Sequence, residues 1–245
     1  KDLRTLMTQP GVQISRAGTL ANQTNLSPAF IESVFETYGN TRLGRQELEG
    51  QVLGEADGAM WSRELIETCR AQHIPEFEKL IVAIDPPVSG GARADSCGII
   101  IAGRAGHGKS AVAYILEDAS AKGLSPNGWA ARAVALYHKY AADSLLAEVN
   151  QGGDMVPTII RQIDPNVPVR TVFARRGKTA RAEPVANLYT QGRVFHCGRF
   201  DALEAEMVLM GAAGLKHSPD RTDALVWAVH ALILQHGAGP RVTQL

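Results

Sequence analysis

The sequence predicts an α/β protein whose mixed sheet opens as a three-strand antiparallel meander, continues with parallel strands, and carries helices on both faces. Three observations support this. Apolar runs of strand length follow one another between Lys79 and Ser120 with no helical segment between them. From Trp129 onward, segments of helical length alternate with short β-rich runs. Pro86-Pro87, the piece around Gly103–Gly108 and Gly152-Gly153 punctuate the pattern as turns.

Residues 1–72 differ in texture from the rest. A polar stretch rich in Gly, Thr and Asn holds one strand-like piece, Val12–Ser15. Ser27-Pro28 then opens an amphipathic helix with Phe30, Ile31, Val34 and Phe35 on one face, and Gly39-Asn40 stops it. Further helices are expected over Leu43–Leu53 and Ser62–Gln72. Few strands could pair here, so the region reads as a domain edge or linker.

The strands expected next are Lys79–Pro86, Cys97–Gly103 and Ala111–Ser120. A helix over Trp129–Ala142 starts near Ser125-Pro126-Asn127, and Ser144–Asn150 is a buried strand. Helix Asp154–Ile163, strand Val169–Ala174, helix Thr179–Gln191 and the short strand Arg193–Cys197 follow. Helices over Asp201–Met210 and Pro219–Gln235 close the chain.

At 245 residues and 45% hydrophobic, the chain can bury a full core, and wholesale disorder is excluded. Its 25 Lys and Arg balance 25 Asp and Glu, which excludes a uniformly basic nucleic-acid binder but not local patches. The longest apolar stretch, Ala224–Leu234, contains His230 and is too short to span a bilayer. Cys69, Cys97 and Cys197 show no Cys-x-x-Cys spacing and fit free thiols in a reducing compartment. No signal peptide opens the sequence, and it starts at Lys1 without Met, as a fragment of a longer chain would.

In open α/β sheets, sites gather at the carboxyl ends of strands. Asp85 ends the first strand before Pro86-Pro87, and Glu148 lies in the last turn of another. Asp220 and Asp223, three residues apart, open the final helix on one face. Carboxylates converging on one edge repel unless cations sit between them, and an all-oxygen set suits Mg²⁺ or Mn²⁺. Blander roles exist for each: Asp85 as a turn former and Asp220 as a helix cap. Glu148, inside an apolar run, is the hardest to explain structurally.

Gly103–Ser110 satisfies G-x-x-x-x-G-K-[ST] literally. A phosphate loop needs a helix beginning at Lys-Ser. Here Ala111–Leu116 is β-branched and aromatic, so the same letters read as a hairpin between antiparallel strands. Arg161–Arg199 carries eight cationic and two acidic residues, densest at Arg175, Arg176, Lys178 and Arg181. That cluster suits backbone contact with duplex DNA, and a solvated charge run is its plain alternative.

Several stretches together resemble the large terminase subunit of tailed double-stranded DNA phages and gene transfer agents. They are Asn25–Leu53, IVAIDPP with ADSCGIIIAG, LLAEVNQGGDMV, Arg175–His196 and SPDRTDALVWA, in the family's order. The resemblance implies the tail of an ATPase domain and linker over residues 1–72 and a ribonuclease H-like nuclease over 73–240. It implies a catalytic acidic cluster of Asp85, Glu148 and Asp223 binding two Mg²⁺ or Mn²⁺ ions, with Asp220 and, more weakly, Asp95 assisting. The expected activity is endonucleolytic cutting of concatemeric double-stranded DNA, with no ATPase activity from this fragment. Portal and small terminase subunit would be partners of the full-length protein, in the cytoplasm of a bacterial host and away from any membrane. A non-catalytic DNA-gripping module is the competing reading, and a P-loop nucleotidase a distant third.

Overall fold

The computed structural model describes residues 11–13, 17–38, 48, 59–87, 96–150, 153–210 and 218–234. The chain separates into two compact units, Lys1–Gly58 and Ala59–Leu245. In the first, a 3₁₀ stretch Thr19–Asn25 precedes helix α1, Pro28–Tyr38, and the Ser27 hydroxyl accepts from the Phe30 N–H at its start. The strand-like piece Val12–Ser15 falls partly outside the described residues, and the helix expected over Leu43–Leu53 almost wholly so.

The second unit begins with α2, Arg63–Thr68, capped by the Ser62 hydroxyl accepting from Leu65 N–H at 3.1 Å. It is shorter than expected because the chain leaves the helix to pair with a strand. Ala71 N–H donates to His196 O at 2.9 Å, and His196 N–H donates to Cys69 O at 2.8 Å. The elements that follow are β1 (Lys79–Asp85), β2 (Ser96–Ala105), β3 (Val112–Asp118), β4 (Ala121–Lys122), α3 (Pro126–Lys139), β5 (Ser144–Glu148) and α4 (Met155–Ile163). Then come β6 (Val169–Val172), α5 (Lys178–Thr190), β7 (Val194–His196), α6 (Asp201–Leu209) and α7 (Asp220–Val229), which runs on as a π-helical turn, His230–Leu234. Of these strands, β4 has no counterpart in the sequence pattern, since two residues leave no periodicity to find.

The sheet order is β6-β5-β1-β2-β3-β7, with β4 pairing β2 off this path. Strand β2 is antiparallel to β1 and β3, while β5, β6 and β7 run parallel to their neighbours. This is the mixed sheet the sequence predicts, a ribonuclease H-like arrangement. The Gly-rich letters at 103–110 form the β2–β3 hairpin: Gly106 and Gly108 take positive φ, and Lys109-Ser110 lie in a short 3₁₀ turn between antiparallel strands.

Alternation along the strands sorts the core into two layers. Val82, Ile84, Ile99, Ile101 and Leu145 pack with α3 and α4. On the other face, Ile81, Ala83, Ile100 and Leu146 lie under α5, α6 and α7, joined by Met60, Trp61, Ile66 and Cys69. Among the described residues, no helix is long and apolar enough to cross a membrane.

Candidate active site

Because β1 and β5 run parallel, their carboxyl ends share one edge of the sheet. The pair Ile84↔Ala147 then puts Asp85 and Glu148 at matching positions on adjacent strands. Alternation places both on the face of Ile81, Ala83 and Leu146, against which α7 packs. Helix α7 starts at this edge, and Asp220 and Asp223 occupy its first turn. A cleft of about 370 Å³ opens there, lined among others by Asp85, Glu148, Asp220, Lys178, Arg181 and Ser218.

Each acid has a different set of partners. Glu148 accepts from Trp227 Nε1 at 2.5 Å, from Asn150 Nδ2 at 2.7 Å and from Arg181 Nη1 at 3.4 Å. Asn150 in turn accepts from Ala174 N–H at 2.7 Å, tying the loop after β6 to the same acid. Asp223 accepts from Lys178 Nζ and, at 3.2 Å, from Arg181 Nη2. Lys178 also donates to Ser218 Oγ at 2.7 Å. Asp85 receives no hydrogen bond from a described side chain.

The electrostatics follow from this crowding. Burial raises the Asp85 carboxyl well above the usual carboxylate range, and the charges of Glu148, Asp223 and Asp220 push it the same way. Burial also raises Asp223, against the pull of Lys178 and Arg181. For Lys178, burial opposes its charge, yet the hydrogen bond to Asp223 and the surrounding carboxylates hold its ammonium above the ordinary lysine range.

The structure therefore brings Asp85, Glu148 and Asp220 to one cleft and buries Asp223 behind them, bridged to Glu148 by Arg181; Asp95 lies outside the described residues. The basic residues divide. Arg175 and Arg176 are exposed, and Arg176 lines the cleft. Lys178 points its ammonium inward, and Arg181 is only 6% exposed, bridging Glu148 and Asp223 instead of facing solvent. Its position one turn into α5, on the face packed against α7, turns it inward.

Two features are not singled out from the sequence: one has no clear signal there, and the other carries the same strand-end signal as Asp85. Trp227 sits in an apolar run that reads as core, yet its indole N–H holds Glu148, and the Arg181 guanidinium lies over its ring at 4.7 Å. Asp118, at the carboxyl end of β3, is a further strand-end acid, but Arg221 Nη1 occupies it at 2.5 Å.

Among the described residues, no three His, Cys, Asp or Glu side chains are placed to share a metal ion. Cationic side chains instead neutralise the acids, through Lys178 on Asp223 and Arg181 between Asp223 and Glu148. The donor set fits a hard divalent cation in kind, being all carboxylate oxygen. Burial first, and carboxylate repulsion after it, raise Asp85, and the repulsion is of the sort such a cation relieves.

Residues 82–232 match the model of the terminase RNaseH-like domain family. A search among curated protein sequences finds no match. Among solved structures, the large terminase of a thermophilic bacteriophage superposes with a TM-score of 0.60 at 13% identity, covering 87% of this chain and 53% of that one. The chain thus spans about half the length of that protein. The nuclease domain of the large terminase subunit of bacterial virus Sf6 gives a TM-score of 0.55 at 15% identity, covering 70% of this chain and 98% of that domain. A mutant of the same Sf6 domain with manganese gives 0.53 at 14% identity, over 70% and 99%. The sheet order, the two helical layers and the matched span agree: this chain belongs to the terminase RNaseH-like domain family of large terminase subunits.

Proposed function

We propose that the chain is the metal-dependent endonuclease of a DNA-packaging terminase, cutting double-stranded DNA by phosphodiester hydrolysis. The observation that carries this reading is the meeting of Asp85, Glu148 and Asp220 from two strands and one helix at a single cleft, with Asp223 buried on the same helix turn and joined to them through Lys178 and Arg181. Asp85, Glu148 and Asp223 would hold two Mg²⁺ or Mn²⁺ ions, with Asp220 beside them. When bound, such ions activate a water and stabilise the departing 3′ oxygen, so no general-base side chain is required.

The chain's own residues account for the remaining roles. Trp227 and Asn150 fix the Glu148 carboxylate by hydrogen bonds to different oxygens. Lys178 and Arg181 neutralise the acids when no divalent cation is present, which lets the cluster fold without uncompensated charge. Exposed Arg175 and Arg176, at the rim, would engage the phosphates of the duplex without reading bases. Residues 1–72 would be the tail of an ATPase domain with its linker. Portal and small terminase subunit would be partners of the whole protein in the bacterial cytoplasm.

Plasmid nicking separates this from a DNA-gripping module. Wild type is expected to nick supercoiled plasmid in Mn²⁺ and not in EDTA. Asp85→Asn is expected to bind DNA normally and not cut. Equal cutting by that variant would reject the assignment.

A further inference from the structure

One residue outside the acid set touches both of its halves. Gly98 in β2 is the cross-strand partner of Asp85. It also lies directly beneath the first turn of α7. A Cβ at Gly98 would stand 2.0 Å from the Asp220 carbonyl oxygen, 2.7 Å from its carbon and 3.0 Å from the Ala224 Cβ. The nearest obstacles are backbone atoms, so no side-chain rotation relieves the overlap. The helix start itself would have to lift by more than about 1 Å to reach ordinary contact. Asp220 and Asp223 ride on that turn, while Asp85 is fixed by its strand.

We propose that Gly98 is a positioning residue: the missing side chain seats the α7 N-terminus on β2 and so sets the spacing between Asp85 and the Asp220/Asp223 pair. This rests on the metal-dependent reading above. Its mechanism is steric, and Gly103 supplies the internal control. Gly103 lies on the same strand and is also crowded, its would-be Cβ 2.6 Å from the Phe77 ring, but that neighbour is a side chain away from the acids. Both glycines therefore carry a packing penalty on substitution, and only Gly98 carries a penalty in site geometry.

The test titrates Mn²⁺ calorimetrically into wild type, Asp85→Asn, Gly98→Ala and Gly103→Ala, alongside melting temperatures. Gly98→Ala is expected to lose about 10- to 100-fold in Mn²⁺ affinity. Gly103→Ala is expected to melt lower and bind Mn²⁺ as wild type does. Wild-type affinity in folded Gly98→Ala would overturn the proposal. Should Gly98→Ala fail to fold, Ala224→Val crowds the same contact from the helix side; weakened binding by that variant supports the proposal and unchanged binding overturns it. If wild type binds no more Mn²⁺ than Asp85→Asn, the metal reading falls, and a crystal structure decides the steric claim alone. Asp220 and Asp223 displaced from Asp85 in Gly98→Ala would uphold it, and carboxyls left in place would overturn it.

Discussion

The indole N–H of Trp227 donates to Glu148 Oε2 at 2.5 Å across 79 residues of chain, with the Arg181 guanidinium 4.7 Å from the ring centre. The tryptophan thus grips one acid and backs the cation that bridges that acid to Asp223. Phe at 227 keeps an aromatic face under Arg181 and removes only the donor. Trp227→Phe is therefore expected to stay folded and to lose about 10- to 100-fold in Mn²⁺-dependent cleavage, since groups that orient a ligand act on this scale. Nicking rates equal to wild type would show that the hydrogen bond orients nothing of consequence.

Asp85 predicts an unusual coupling between metal and pH. Burial first, then the charges of Glu148, Asp223 and Asp220, raise its folded-state pKa above the unfolded value. The folded protein then holds a proton that the unfolded chain has released. Metal-free stability falls as pH rises from the ordinary carboxylate range through that raised value. Asp223, shifted the same way by burial, adds to the slope. A divalent cation offsets the same repulsion, so Mn²⁺ is expected to raise the melting temperature more at pH 8 than at pH 5. Asp85→Asn is expected to melt higher than wild type without metal at pH 8 and to gain little from Mn²⁺. A pH-independent metal effect in wild type would contradict this.

Asp85 and Glu148 are legible in the sequence because each ends an apolar strand, and Asp220 and Asp223 because they open a helix. The sheet is legible for a similar reason: strand-length runs and helical segments alternate in an order that few topologies accommodate. Relationships set by packing cannot be read this way. Arg181 and Lys178 sit in a cationic run that reads as an outward-facing loop for duplex phosphates or solvent, and only the docking of α5 against α7 turns them toward Asp223. Gly98, in a run of apolar residues, gives no hint that a helix carbonyl lies within 2.0 Å of its absent Cβ. The end of α2 is hidden for a related reason. Cys69 and Arg70 still donate back into the helix, but the Ala71 N–H and the Cys69 carbonyl turn to main-chain bonds with His196, a partner invisible to local periodicity.

Lys178 pairs with Asp223, where it would compete with a divalent cation. Its ammonium stands beside the acids, stabilised in its charged form by Asp223, Asp85 and Asp220 despite burial. Removing it leaves the carboxylates less neutralised when metal is absent and less repulsive toward metal when it is present. Lys178→Ala is expected to bind Mn²⁺ at least about fivefold more tightly, a modest fraction of the roughly 4 kcal/mol between unit charges 4 Å apart near a protein surface. The same variant is expected to melt lower than wild type in EDTA. Weaker Mn²⁺ binding would mean that Lys178 organises the cluster and does not compete within it.

Glu206 of α6 caps the helix that carries two of the acids. Its Oε2 accepts from the Arg221 N–H at 3.1 Å and the Thr222 N–H at 3.3 Å. Burial pushes its carboxyl up to about 7 from an ordinary value of 4.5, with the charge of Asp220 adding and Arg221 opposing. With the folded value raised, the stabilisation is full at low pH and is lost as pH climbs from about 4.5 through about 7. Glu206→Gln keeps an acceptor for the helix N–H groups and cannot titrate. Its melting temperature is expected to change less than that of wild type between pH 5 and pH 8. An identical change in both proteins would remove Glu206 as a source of the slope.

Arg70 anchors the segment after residue 58 to the far side of the sheet. Its guanidinium reaches Glu204 at 2.5 and 2.6 Å and the Gly198 carbonyl at 2.7 Å. Glu204 also faces His196 Nδ1 at 3.1 Å, and His196 Nε2 meets the Tyr189 hydroxyl at 2.7 Å. The hydrogen bonds of His196 and Arg70 outweigh burial and hold the Glu204 carboxyl below the usual range, so the acid is ionised and depends on its partners. Arg70→Ala strands that charge, a loss of about 3–5 kcal/mol. At roughly 2–4 °C per kcal/mol for a unit of this size, the melting temperature is expected to fall by about 6–20 °C. Strand β7 lies three strands from β1, about 14 Å at the usual spacing, so the acids should not feel the change. Cleavage by Arg70→Ala at 20 °C is therefore expected to match wild type per folded molecule, while amide exchange at Ala71 and His196 accelerates. Slow exchange at those amides in the variant would show that main-chain pairing alone holds the segment, and that the buried ion pair contributes little to its anchoring.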